Sequence, residues 1–332
     1  MLIIIDNTLT AIDHSLPSKE ELHMFCQLLL TIGVDIIELS AAVYERMEYL
    51  PGKGKYYLNI SSADAMTKRD LVNHPGFCGF VSRHAVSDER IIPEIQINDP
   101  REIMKLIQMR GCGELRIVGL DSLLHYSYDR IMRDIITMLP GSSIQFCPEN
   151  HYNCASALAV LWLSEYGNKI ISSFAGLKNN AATEEVIMTM RLSVRRKPNS
   201  NLTVMPQLSR LYEKFTGRTI SCRKPILGKK IFQVEAGIHA DGIMKNPATY
   251  EAYDPGWVGQ KAELVIGKHS GTKAIRMKLS QMQLPMPDED RIIMILKRVK
   301  SFSSAKKASL NDEEFVRIVR GVLADEGSKI HS

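Results

Sequence analysis

Two side chains placed two residues apart on one β-strand point the same way. Cys147 and Glu149, in "SIQFCPEN", have that spacing. A thiolate and a carboxylate can each bind a divalent ion, and His151 would add a third ligand where the strand ends. The alternative is that these positions hold no metal. Glu38 lies in the apolar run "VDIIEL", where burial without a partner would be costly, so a position facing a cavity is expected. Arg83 follows "FCGFVS" and could hold a substrate carboxylate, or be an ordinary loop arginine. His239 and His269 sit in Gly-flanked turns, with Gly267 and Gly271 bracketing "KHS" as a close backbone or ligand approach requires. An imidazole beside Lys268 could serve a reacting site or hold subunits together.

Eight short apolar runs must position these groups: "LIIID", "VDIIEL", "YYLNIS", "FCGFVS", "IIPEIQI", "LRIVGL", "SIQFC" and "KIISSF". Helical stretches separate several of them. Residues 18–32 open on an S-x-x-E capping box, Ser18 and Glu21, and stop at Gly33. "REIMKLIQMRG" and "YDRIMRDIITMLPG" have the same pattern, and "NCASALAVLWLSEYG" reads as a more buried helix. Continuous apolar strands alternating with helices predict a parallel sheet covered on both faces. Eight of them predict an α/β (β/α)8 TIM barrel, with a doubly wound sheet as the alternative. The connections after the third and fourth strands look short, which predicts truncated helices there.

The expected division is a barrel over 1–195, a helical linker over 196–228, a Gly- and Pro-richer subdomain over 229–285 and a helical tail over 286–332. The tail is split near "SFSSAKKASLNDEE", with Asn311 or Ser309 capping its second helix. The 332 residues carry a net charge of +5, and the one dense basic run, "RLSVRRK", has no interleaved aromatics. This favours a solvated face over a nucleic-acid patch, and no nucleic-acid partner is expected. The six cysteines form no CxxC pair, no leader opens the chain and no apolar run reaches the length of a membrane span. A cytoplasmic protein is expected.

Two later strings, "EAGIHADGIMKNPATYEAYDP" and "VIGKHSGTKAI", closely resemble homocitrate synthases of the nitrogen-fixation type. These belong with the isopropylmalate and citramalate synthases among metal-dependent Claisen enzymes. The resemblance extends through "DNTLTAID", "GVDIIELS", "LRIVGLDSLL", "IQFCPENHYN" and "SSFAGLKNNAATEEV". It implies condensation of acetyl-CoA with a 2-oxo acid, 2-oxoglutarate first. It also implies a divalent cofactor (magnesium, manganese or zinc) at the barrel mouth, and a later subdomain that supplies a histidine base to a second subunit's barrel. His269 is the first candidate for that base and His239 the second, with Glu38 retained as a site carboxylate.

Position by position, the barrel departs from the family pattern. Where the family has the Arg, Asp and Gly of L-R-D-G, this chain has Thr10, Ala11 and Ile12. The H-x-H histidines become Cys147 and Glu149; Asn150 is kept, and His151 replaces an aspartate. Ser122 stands for a threonine after a kept Asp121, and with Arg83 and Asn150 it is expected to bind substrate. Asp13 could replace the lost aspartate or stand in solvent. Three readings follow: an acyltransferase with a remodelled site, working as a homodimer; a non-catalytic relative paired in a heterodimer with an intact family member; and a carbon–carbon lyase of the wider family.

Overall fold

The computed structural model describes residues 1–12, 17–60, 74–83, 90–121, 127–196, 200–235 and 237–324. The chain forms two compact units, Met1–Leu227 and Gly228–Ser332.

The first unit is the expected barrel. Its strands are β1 (Ile3–Asp6), β2 (Ile36–Ser40), β3 (Lys55–Asn59), β4 (Phe77–Ser82), β5 (Ile91–Ile97), β6 (Glu114–Gly119), β7 (Ser143–Pro148) and β8 (Lys169–Ser172). They pair in sequence order, all parallel, and β1 closes the barrel on β8 with Ile4 opposite Ile170. One residue from each strand forms an interior layer: Ile5, Ile36, Tyr57, Val81, Ile92, Val118, Cys147 and Ile171. The period-two alternation then sends Glu38, Glu94, Arg116 and Gln145, two residues from members of that layer, into the same interior.

Helices cover the outside. Lys19–Thr31 begins on the predicted capping box, with Ser18 and Glu21 each accepting from the other's backbone N–H. It buries Leu22, Phe25, Cys26, Leu28 and Leu29. Ala41–Met47 follows β2 directly, capped by the Ser40 hydroxyl, and was not expected. The helix expected from "REIMKLIQM" is a 3-10 helix, Pro100–Met109. Only Pro100 and Leu106 are buried along it, so little packing selects the α pitch. Ala155–Glu165 is buried as expected, with Trp162 donating to the Lys169 carbonyl at 2.9 Å. The expected linker carries helix Met205–Thr216, which packs in the barrel unit through ring contacts Phe25–Phe215 and Phe174–Tyr212. The connections after β3 and β4 lie largely outside the described residues.

The second unit holds a two-stranded parallel sheet, β9 (Gln233–Val234) and β10 (Glu263–Leu264). Helices Gly237–Lys245, Pro247–Tyr250, Thr272–Gln281, Glu289–Lys306 and Asp312–Ala324 belong to this unit. Ile266, Ile275, Leu279, Ile292, Ile295, Val299 and Phe315 form its core. The tail's first helix runs through "SFSSAK", further than expected, to Lys307 in the left-handed conformation. Asn311 caps the next helix by accepting from the Glu314 N–H at 2.8 Å. No helix among the described residues is long and apolar enough to cross a membrane.

Candidate functional site: the mouth of the barrel

A buried guanidinium organises the barrel interior. Arg116 on β6 reaches across to Glu38 on β2 and meets both carboxylate oxygens, one at 3.1 Å. Its Nε and Nη2 also donate to the Gln145 side-chain oxygen at 3.1 and 2.9 Å, and Glu94 lies 3.4 Å from Nη1. Asn59 Nδ2 donates to Glu38 at 2.7 Å, and Arg83 pairs with Glu94. Burial alone would raise the Glu38 carboxyl, but the Arg116 charge and these hydrogen bonds hold it below its usual range. Glu38 and Arg116 are both fully buried, so each depends on the other.

Above this layer is a cavity of about 350 Å³ at the C-terminal ends of the strands, where barrel active sites sit. Asn59, Arg83, Glu149, Lys178 and Asn180 line its rim. Glu149 is half-buried and accepts from Gln96 Nε2 at 2.8 Å. Lys178 Nζ donates to the Thr10 hydroxyl at 2.8 Å, which in turn donates to the Asn7 carbonyl. Lys178 stands on a turn whose Ala175, Lys178 and Asn179 have φ of 57°, 60° and 59°, the left-handed region. Non-glycine residues there are strained, as functional loops often are. Cross-links hold the turn: Asn150 N–H donates to the Asn179 carbonyl at 2.8 Å, and Asn180 Nδ2 to Asn7 Oδ1 at 3.1 Å.

The structure brings Glu38, Arg83, Cys147 and Glu149 to one cavity. It does not bring His151 to them. That imidazole turns outward, its Nδ1 2.6 Å from Asp121 Oδ2, and stays 62% exposed. The ligand trio Cys147, Glu149 and His151 is thus not formed. Burial also pushes the Cys147 thiol up to about 12, so it stays protonated. Ala11 offers no donor, and no group of three His, Cys, Asp or Glu among the described residues is placed to hold an ion. These residues do not fit the divalent metal that the resemblance implies.

Asn150 spends its side-chain oxygen on the Ala155 N–H, 2.9 Å away, at the start of a helix. Ser122 and Asp13 lie outside the described residues. His239 and His269 are exposed in the second unit. The His239 ring is 5.8 Å from that of Tyr250. Around His269 the turn is pinned: its N–H donates to Glu235 at 2.6 Å, and Ser270 donates to the Glu235 carbonyl at 3.1 Å. A Cβ on Gly267 would lie 2.5 Å from the Glu235 carboxylate and would displace it from the turn. Sequence reasoning missed Arg116, Glu94, Asn59 and Lys178. The first three had a usable signal, since each is a polar residue inside an apolar strand.

Asp6, at the end of β1, accepts from the Thr183 hydroxyl at 2.6 Å and the Thr8 N–H at 2.9 Å. Burial outweighs these bonds and raises its carboxyl to about 6. A raised folded value means the native state holds the proton more tightly. The resulting stability is fully present below about pH 4 and lost as pH rises through about 6, a difference of about 3 kcal/mol. Thermal melts between pH 4 and 7 should show Asp6→Asn losing that slope; an unchanged slope would assign it to other groups.

Residues 226–307 match the family described as homocitrate synthase post-HMGL domain-like. The homocitrate synthase omega subunit of Clostridium pasteurianum is 28% identical over 320 residues, 91% of this chain and 90% of that one. Homocitrate synthase AksA of Methanothermobacter thermautotrophicus is 33% identical over 176 residues, 52% of this chain but 44% of that one. Among solved structures, the HMG-CoA lyase of Bacillus subtilis superposes with a TM-score of 0.51 at 14% identity, covering 68% of this chain and 96% of that one, a likeness of fold alone. One likeness thus runs through nine-tenths of both chains, a family match spans the two later motifs, and in both the chain is similar to homocitrate synthases.

Proposed function

We propose that the chain is a subunit of a homocitrate synthase-type acyltransferase, an assembly that condenses acetyl-CoA with a 2-oxo acid, 2-oxoglutarate first. In this reading its own barrel does not carry the metal-assisted step. A partner with the complete arginine, aspartate and histidine set does so, and this chain contributes the unit bearing His239 and His269. The observation that carries the reading is a contrast within the chain. At the barrel mouth Glu38 is neutralised by Arg116, Cys147 is a thiol and His151 faces away. In the second unit the "GIHADG" and "GKHSG" strings are intact, and a dedicated carboxylate, Glu235, fixes the turn of His269. The similarity to a protein described as an omega subunit supports a multi-subunit assembly. An imidazole presented this way can accept the methyl proton of a thioester.

A second reading has one observation in its favour: the mouth is still an open polar cavity with a cation, Lys178, at its rim. There the chain would condense the same substrates alone, as a homodimer. The two readings separate with acetyl-CoA, 2-oxoglutarate and magnesium, manganese or zinc, with product followed by mass spectrometry. The chain alone should make no homocitrate. It should co-elute with a family member that keeps the ligand set and raise that protein's turnover. Homocitrate from the chain alone would establish the second reading. Absence of both co-elution and a turnover effect would remove the first.

A further inference from the structure

In the second unit, each of the four backbone N–H groups from Gly267 to Ser270 has a partner. Ser270 closes the turn by donating to the Gly267 carbonyl at 3.1 Å. The other three N–H groups are met by side chains. Gly267 donates to the Ser270 hydroxyl at 3.0 Å, Lys268 to the Ser303 hydroxyl at 3.1 Å and His269 to Glu235 Oε1 at 2.6 Å. Two of these acceptors come from elsewhere in the unit: Glu235 follows β9, and Ser303 lies in the last turn of helix Glu289–Lys306.

A serine inside a helix usually returns its hydroxyl to the carbonyl one turn earlier. Ser303 instead donates forward, to the Ala308 carbonyl at 2.8 Å, while accepting from Lys268. It is 3% exposed, so its hydroxyl has little water to bond instead. Lys307, in the left-handed conformation, turns the chain after this helix. Leu310 N–H then donates to the Ile266 carbonyl at 2.8 Å, which lays the corner 303–310 beside the turn. Ser309 adds a longer bond to Glu235 Oε2, at 3.4 Å. All this order is given to a turn whose Lys268 and His269 are exposed and add nothing to the core of Ile275, Ile295 and Phe315. A reacting group gains from such support, because a base already held in place needs no ordering when it acts.

We infer that the corner of the C-terminal tail is the mount of the His269 turn, with Ser303 as a positioning residue beside Glu235. Neither touches substrate. Both act through the backbone of the turn, Ser303 at Lys268 and Glu235 at His269 itself. The tail is thereby part of the proton-accepting apparatus as well as of this unit's core. This rests on the reading that the second unit supplies its imidazole to a partner's barrel.

The test has two arms. On the full chain alone, amide hydrogen exchange at Lys268 and His269 should be slow, and about tenfold faster in Ser303→Ala and Glu235→Ala respectively. In the co-assembled enzyme, the same two variants, checked for native circular dichroism and co-elution, should each lower kcat by about 10–100-fold while both KM values stay within about twofold. Glu235→Gln keeps an acceptor for the His269 N–H and should hold kcat within about threefold of the native value. Ser304→Ala, at the exposed neighbouring position, should change neither readout. Unchanged exchange or unchanged kcat in both alanine variants would overturn the inference. So would Glu235→Gln as slow as Glu235→Ala, since Glu235 would then act as an acid or base itself. Turnover raised by the native chain and by both alanine variants alike strikes the mount and leaves the subunit reading standing. A native chain that raises no turnover strikes that reading and, through it, the mount.

Discussion

Alanine at both His239 and His269 is expected to lower the turnover of the co-assembled enzyme by about 10²–10⁴-fold, the usual contribution of a positioned general base. Both imidazoles are exposed, so neither substitution leaves a hole in a core, and the chain should fold and co-elute unchanged. The single variants assign the role. His269 stands on a turn fixed through its own N–H by Glu235, whereas His239 sits on a helix against the Tyr250 ring. The measurement is kcat and KM for both substrates beside size-exclusion chromatography. Loss of kcat with intact assembly fits a base. Loss of assembly with normal turnover per complex would make the two turns docking elements only.

Arg116→Met should cost about 3–5 kcal/mol, because it leaves Glu38 charged, buried and unpaired. For a unit of this size that is a fall in Tm of about 6–20 °C. The pH dependence has a definite sign. In the native chain Glu38 is held low, so its contribution is present above its unfolded value and lost as pH falls through the folded one. Without Arg116, burial raises the same carboxyl instead, and acid relieves the variant. The gap between the two melting curves should therefore narrow as pH falls below about 5. Glu38→Gln combined with Arg116→Met should recover most of the loss. A single variant as stable as the native chain would mean that Glu38 is already protonated there.

The barrel was legible because its signals are local. Eight apolar runs separated by capped helices need no long-range information, and Ser18 with Glu21 marks a helix start within four residues. Glu38, Cys147 and Glu149 were legible for a related reason: strand alternation predicts which way a side chain points once the strand is found. The pairing of these groups was not legible. Arg116 lies 78 residues from Glu38, and only barrel closure brings β6 to face β2. Without that partner, Glu38 looked free for chemistry. His151 looked like a third ligand because spacing says nothing of Asp121, 30 residues earlier, which captures it. Lys178 was the least visible. Its place at the rim depends on Lys178 itself taking a left-handed backbone, which lysine does not favour, although Gly176 and Asn179 beside it do.

Closure of the barrel also bears on how such a chain can associate with others. β1 is paired to β8, so none of the eight strands presents a bare row of N–H and C=O groups. The only other sheet among the described residues has strands two residues long, too short to template another. Strand addition, the least selective way for chains to associate, is thus closed to the described part of this molecule. Any association of this part must run through side chains and loops, where shape and charge discriminate. Among the described residues no open strand edge is left to seed fibrillar growth.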